Sequence, residues 1–305
     1  MRDPLTAFEH KLILTHFPQG STAVGSMSFP GHNKRYPLRV TVTLPDGREE
    51  TVVLRQDDKP GGSHLESQLL PVLHRLGLPV PQVLAGPTVD PTHPDSPAKI
   101  VFSLLTGTDL LRSCWDTTSN RLDFIAETTL DAIDRLHALT EAVTADPVAK
   151  IIPRHSLADE LKQVRQTGGR WTSHPLFAEA LERVTPAVET IETPLVFSTG
   201  DYNPGNFLTD GETVTGYVDF AWTCFQDPYV GITRYWLNEW YPLNKVGIVE
   251  RYLFRHNVPR TEFAPRLVVR ALAMLQNECI PVDPKNDPTR DKTLELLKLG
   301  LAGLQ

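Results

Sequence analysis

Two periods of apolar residues divide the chain. From Leu38 the side chains alternate: Leu38, Val40, Val42 and Leu44 fall on one side, Arg39, Thr41 and Thr43 on the other. That is the period-2 pattern of a half-buried strand. Pro45-Asp46-Gly47 supplies a turn, and Glu50-Thr51-Val52-Val53-Leu54-Arg55 reads as the returning strand. No helical stretch separates the two, so they form an antiparallel meander rather than a βαβ unit. Residues 8 to 27 are mixed in pattern and read as a first helix or strand. Leu65, Leu69, Val72, Leu73 and Leu76 then share one helical face, with Pro71 expected to kink the helix or mark a late start and Gly77 to end it. Val80-Pro81-Gln82-Val83-Leu84 reads as a further strand. Four prolines between residues 87 and 97 mark an exposed loop, and Lys99 to Leu105 is a fully buried strand closed by Thr106-Gly107.

Beyond Gly107 the period lengthens. Phe124, Ile125, Leu130, Ile133, Leu136 and Leu139 give one helical stripe, and helical patterns recur near 156–166, 174–190, 230–240, 246–256, 263–279 and 290–300. The exception is Phe197 to Pro228, where two short apolar pieces flank Asp210-Gly211, a strong hairpin signal. A strand-rich first third and a helix-rich remainder predict an α+β chain in two lobes, 1–104 and 105–305.

Composition narrows the function classes. With 305 residues, 40% hydrophobic and 22% charged, the chain has the make-up of a globular protein with a sizeable core. A formal charge of −7 argues against a nucleic-acid partner, which would need a basic face. The three cysteines, Cys114, Cys224 and Cys279, are widely spaced and contain no Cys-x-x-Cys, so they read as thiols in a reducing cytoplasm rather than as disulfides or a zinc site. Met1-Arg2-Asp3-Pro4 opens no apolar signal segment, and no run approaches 18 apolar residues, so no membrane association is expected.

The candidate chemistry gathers around the hairpin. Asp201 and Asn206 stand on the loop before it and Asp219 at the end of its second strand. A hard cation such as Mg²⁺ takes oxygen ligands, few of them from protein, and Asn206 and Asp219 suit that role. Asp201 is then available to accept a proton from a hydroxyl. A catalytic-loop Asp, a metal-binding Asn and a metal-binding Asp after a hairpin are the parts of kinase-type phosphoryl transfer. The first third offers the complementary parts: Gly31 and Asn33 in a loop between the first two strands, Arg55 at the end of the third strand, and Glu66 at the start of the following helix. No Gly-x-x-x-x-Gly-Lys-Ser/Thr occurs, so the P-loop route is absent.

Gly200-Asp201-Tyr202-Asn203-Pro204-Gly205-Asn206 is similar to the H-G-D-x-H-P-G-N of the aminoglycoside phosphotransferase and choline kinase-like family. Gly216-Tyr217-Val218-Asp219-Phe220, then Asp227-Pro228, resembles that family's G-x-I-D-W … D-P, and Leu136-His137-Ala138-Leu139 its L-H-A-L. Gly77 to Pro81 and Phe102 to Gly107 also fit, so the resemblance covers residues 25 to 280. It implies a bilobal protein-kinase-like fold with the nucleotide in the cleft between lobes. It implies Asp201 as catalytic base, Asn206 and Asp219 as Mg²⁺ ligands, and Arg55 on the ATP phosphates paired with Glu66. Adenine would be held by the backbone of Ser103 and Leu105, and His137 would be a packing residue under the loop. The acceptor would be a small molecule with a hydroxyl. Trp236, Glu239, Trp240, Tyr241 and Glu278 are candidates to line its site, an aromatic and acidic set that would favour an amine.

Two positions depart from the pattern. Thr199 stands where the family carries a loop-bracing His, and Arg55 where it carries Lys. Arg and Lys differ at a phosphate site, although Arg can still form a bidentate fork. These departures are the support for an alternative, a nucleotide-binding pseudokinase with a scaffold or sensor role. A protein kinase is disfavoured, because Asp219 is followed by Phe220-Ala221 and no Ala-Pro-Glu segment occurs.

Overall fold

The computed structural model describes residues 4–29, 35–57, 59–113, 119–237, 246–277, 280, 282 and 288–304. In chain order the elements are α1 (Ala7–Leu14), β1 (Thr22–Ser28), β2 (Leu38–Thr43), β3 (Glu49–Gln56), α2 (Gly62–Arg75), β4 (Val83–Thr88), β5 (Lys99–Ser103) and β6 (Thr108–Asp109). There follow α3 (Leu110–Ser113), α4 (Ser119–Ala138), α5 (Thr140–Ala145), β7 (Arg154–His155), α6 (Leu157–Thr167), α7 (Pro175–Glu189) and β8 (Val196–Ser198). The last are β9 (Phe207–Thr209), β10 (Val214–Tyr217), β11 (Cys224–Gln226), α8 (Val230–Leu237), α9 (Ile248–Arg255), α10 (Arg260–Asn277) and α11 (Pro288–Ala302). Two compact units result: Met1–Asp109 with Glu141–Ile152 and Asn206–Trp222, and Leu110–Thr140 with Pro153–Gly205 and Thr223–Gln305. The chain therefore returns twice to the first unit after residue 109, the second time through the hairpin that follows Asn206.

The first unit holds a five-stranded antiparallel sheet in the order β1-β2-β3-β5-β4. The alternation predicted for β2 is what buries it: Leu38, Val40 and Val42 are fully enclosed with Val52 and Leu54 of β3, Val101 of β5, and Leu12 and Ile13 of α1. In β5, Lys99 to Phe102 are buried in succession, so both faces of the strand are covered, which explains its apolar run. The β2–β3 turn closes through Gly47, whose φ of +85° is open to glycine at no steric cost. Helix α2 buries Leu65, Leu69, Leu70, Val72 and Leu73, and its start is fixed by Asp57 Oδ1, which accepts from the Ser63 amide at 2.6 Å. The helix starts at Gly62 and runs through Pro71, so the late start is not observed. The strand expected over 80–84 begins only at Val83 and continues to Thr88.

Also in the first unit, β9 and β10 pair as the predicted hairpin, with β6 on the outer side of β9. Asp210 Oδ1 caps the turn by accepting the Glu212 and Thr213 amides at 2.9 Å each. In the second unit, α6, α7, α10 and α11 bury a common core around Trp171, Phe177, Val184, Val268, Leu272 and Leu297. The short strands β7, β11 and β8 form a separate three-stranded sheet there. Among the described residues, no helix is long and apolar enough to cross a membrane.

Candidate active site

The third strand and helix α2 bring the first group of charges together. Arg55, at the end of β3, points NH1 at Glu66 Oε1 at 2.8 Å and at Asp219 Oδ1 at 3.3 Å. Glu66 lies one turn into α2, and its side chain is only 2% exposed. The same oxygen accepts the Phe220 amide at 2.9 Å, so α2 grips the chain immediately after Asp219. Burial pushes the Glu66 carboxyl up to about 7; the Asp219 charge adds to that rise, and Arg55 opposes it. The three predicted charges thus form one chain of contacts inside the first unit.

Hairpin register delivers the two candidate metal ligands. Tyr217 pairs with Phe207, and the Val218 amide donates to the Asn206 carbonyl at 3.0 Å. Asn206 and Asp219 therefore stand at the same open end of the hairpin. Asp219 has a φ of +64°, a left-handed conformation that costs a non-glycine residue about 1–2 kcal/mol. Gly216 packs closely nearby: a Cβ there would come 2.8 Å from Leu105 Cδ1, and that side chain would have to shift. An amide oxygen beside a carboxylate is the donor chemistry of a hard divalent ion, so this pair fits Mg²⁺. Among the described residues, no cluster of three or more His, Cys, Asp or Glu side chains offers a competing metal site.

The second unit carries the loop with Asp201. Its carboxylate oxygen Oδ1 accepts from the Asn203 amide at 3.1 Å and from Arg234 NH1 at 2.7 Å. Thr199, fully buried, donates its hydroxyl to the Asp201 carbonyl at 2.8 Å and accepts the Asp201 amide at 3.3 Å. The hydroxyl that replaces the family's His is thus a brace, made to the loop's own backbone. Ser198 Oγ accepts the Gly200 amide at 2.9 Å and the Gln226 amide group at 2.8 Å, tying the loop to β11. His137 Nε2 and the Tyr202 hydroxyl share a 2.7 Å hydrogen bond. Desolvation pushes the His137 pKa down to about 4, which keeps the ring neutral, as a packing role requires.

Asp227 of the Asp-Pro pair is an anchor. Its Oδ2 accepts from Arg266 Nε at 3.1 Å and NH2 at 2.8 Å, while Oδ1 takes the Tyr229 amide at 2.9 Å. This buried pair ties α10 to the chain just before α8. The remaining expectations are scattered. Ser103 ends β5 with its amide donated to the Gln82 carbonyl at 2.9 Å. Trp236 lies on α8, edge-on to Phe263 at 5.5 Å between ring centroids. Gly31, Asn33, Glu239, Trp240, Tyr241 and Glu278 lie outside the described residues. Arg234 is not legible from sequence: an arginine inside an apolar helical pattern carries no signal of its partner.

A five-stranded antiparallel sheet with one glutamate-bearing helix, joined in sequence to a helical unit that carries the Asp201 loop, is the protein-kinase-like fold. Solved structures agree on the fold. A thermostable mutant of aminoglycoside phosphotransferase APH(4)-Ia, in ternary complex with ADP and hygromycin B, is 14% identical with a TM-score of 0.65, over 97% of this chain and 98% of that one. The GDP and kanamycin complex of APH(2")-IIIa is 16% identical with a TM-score of 0.61, over 98% of this chain and 100% of that one. The GDP complex of wild-type aminoglycoside 2'-phosphotransferase-IIIa is 16% identical with a TM-score of 0.63, over 96% and 97%. The profile of the phosphotransferase enzyme family (APH) matches residues 35–265, and the chain belongs to that family. No curated protein matches the sequence.

Proposed function

We propose that this phosphotransferase moves the γ-phosphoryl group of ATP, with Mg²⁺, to a hydroxyl of a small molecule such as an aminoglycoside, an amino alcohol or a sugar. The observation that carries the reading is the Arg55–Glu66–Asp219 chain, a third-strand cation held by a buried helical glutamate and reaching the hairpin aspartate. That arrangement is what kinase-type transfer needs to orient a cation toward phosphate. Support also comes from the structural relatives, which hold ADP, AMP-PNP or GDP, and hygromycin B or kanamycin.

In this reading Asn206 and Asp219 hold Mg²⁺, which when bound neutralises phosphate charge. Arg55 contacts the α- and β-phosphates through its guanidinium, and Glu66 fixes its direction. Gly31 and Asn33 belong to the loop that covers the phosphates. The main chain at Ser103 and Leu105 reads the adenine edge; with its amide already donated to Gln82, Ser103 offers its carbonyl. Asp201 accepts the proton of the acceptor hydroxyl. The acceptor oxygen bonds to the γ-phosphorus as the bond from that phosphorus to the ADP oxygen breaks. Trp236, Glu239, Trp240 and Glu278 are assigned to the acceptor side.

The test is a coupled ADP-release screen with Mg·ATP over a panel of aminoglycosides, macrolides, choline-like amino alcohols, hydroxy amino acids and sugars, with Asp201→Ala as the blank. At least one acceptor is expected to raise ADP release over the blank by about 10³-fold or more, the scale lost with a general base together with its positioning. Nucleotide binding with no acceptor-dependent turnover across the panel would instead fit the pseudokinase.

A further inference from the structure

The Asp201 carboxylate is held from helix α8, and the helix is shaped to do it. Gly231, Arg234 and Tyr235 stand at i, i+3 and i+4, on one face. Each touches the same loop. Tyr235 donates its hydroxyl to the Tyr202 carbonyl at 2.5 Å. Gly231 leaves room for the Tyr202 ring: a Cβ at 231 would stand inside the contact distance of two ring carbons and 3.0 Å from Gln226 Nε2. Arg234 reaches Asp201 Oδ1 at 2.7 Å. The start of this helix is in turn pinned by the buried Asp227–Arg266 pair. Tyr202 itself is fully buried and linked to His137, so the residue beside Asp201 cannot shift without repacking.

We propose that Arg234 is the positioning residue of the catalytic carboxylate: from α8 it fixes the rotamer in which Asp201 meets the acceptor hydroxyl. The inference rests on the reading of Asp201 as the base. It follows from what each brace grips. The Thr199 hydroxyl holds only the Asp201 backbone. The Asn203 amide holds one carboxylate oxygen through a bond within its own loop. The Arg234 guanidinium reaches the same oxygen from a separate element, so it ties the side chain's direction to α8 rather than to the loop alone. Both side chains are about a quarter exposed, 27% for Arg234 and 26% for Asp201. At that exposure an ion pair adds little to folding. Its consequence is therefore orientation rather than stability.

The experiment compares Arg234→Leu, Arg234→Lys, Asp201→Ala and the double variant Asp201→Ala/Arg234→Leu. Readouts are ADP release from Mg·ATP with the best acceptor of the panel or with water, the KM for Mg·ATP, the melting temperature, and crystal structures of the two Arg234 variants. Arg234→Leu is expected to lower kcat about 100-fold, the scale of a misplaced reacting group, with the Mg·ATP KM and melting temperature unchanged. Arg234→Lys should restore part of the loss. In the crystal, Asp201 should leave the Asn203 amide in the Leu variant and keep it in the Lys variant. The double variant should be no slower than Asp201→Ala alone. Additive losses would show that Arg234 acts elsewhere and would overturn the proposal, as would an Arg234→Leu crystal with Asp201 unmoved. Normal turnover in Asp201→Ala would instead overturn the assignment of the base. The crystallographic readout decides on Arg234 even where turnover is too slow to measure.

Discussion

Glu66 and Asp201 are both carboxylates held by an arginine nitrogen, at 2.8 Å and 2.7 Å, yet one is 2% exposed and the other 26%. In the proposed reaction Glu66 only orients Arg55 and does not meet substrate. It can be enclosed between β3, α2 and the chain after Asp219, and enclosure fixes its direction. In the proposed reaction Asp201 reaches an acceptor; it is 26% exposed and is met by discrete braces, among them the Thr199 hydroxyl, the Asn203 amide and Arg234. The Arg55–Glu66–Asp219 charges, assigned above to the nucleotide side, are thus built into the folding of the first unit. Asp201, assigned as the base, is held by contacts that at this exposure add little to folding. A change at Glu66 should register in stability, and a change around Asp201 in rate.

The sharpest way to break that contrast is to melt two variants. Glu66→Ala removes the buried carboxyl that Arg55 and the Phe220 amide share, and losing one member of a buried pair costs about 3–5 kcal/mol. Asp201→Ala removes a quarter-exposed ion pair worth about 0–1 kcal/mol. The melting temperature should drop steeply for the first and barely for the second; equal drops would erase the distinction.

Acid offers the next largest effect, and it arises beneath the Asp201 loop. The His137 pKa is about 4 in the fold against an unfolded value of 6.5. A depressed histidine contributes stability above its unfolded pKa and loses it as pH falls through the folded one. Between pH 6.5 and 4 the wild type should therefore lose up to about 3 kcal/mol through this residue, reduced by whatever solvent the ring meets. A His137→Gln variant should show a flatter fall in melting temperature over that window; parallel curves would mean His137 does not titrate as assigned.

Gly231→Ala gives the smallest change in mass with a measurable outcome. The added methyl presses on the buried Tyr202 ring, and overpacking of this kind costs about 1–3 kcal/mol. Urea denaturation should show the loss, together with slower turnover, since Tyr202 adjoins Asp201. A stable but slow variant would sharpen the contrast by showing that α8 controls rate independently of folding.

Much of this could be read from the chain because its signals are local. The alternation of β2, the Asp210-Gly211 turn and the Asp201-to-Asn206 spacing each lie within a few residues. The hairpin even brought Asn206 and Asp219 to one end by register alone. What stayed hidden is long-range. Arg234 lies 33 positions from Asp201, and Gly231 makes sense only against the Tyr202 ring. Pro71 does not delay the helix: α2 already starts at Gly62, nine residues before it. Whether Thr199 braces the loop with its shorter hydroxyl or not at all is open from sequence, because its reach toward backbone depends on the loop's path.

The central claim, that the two groups do separate jobs in one phosphoryl transfer, is most directly tested by titrating Mg·AMP-PNP into the wild type, Asp201→Ala and Asp219→Ala by calorimetry, alongside ADP release. Asp201→Ala should bind Mg·AMP-PNP as tightly as the wild type while turnover falls about 10³-fold or more, and Asp219→Ala should lose both binding and turnover. Undiminished binding in Asp219→Ala, or undiminished turnover in Asp201→Ala, would contradict the account.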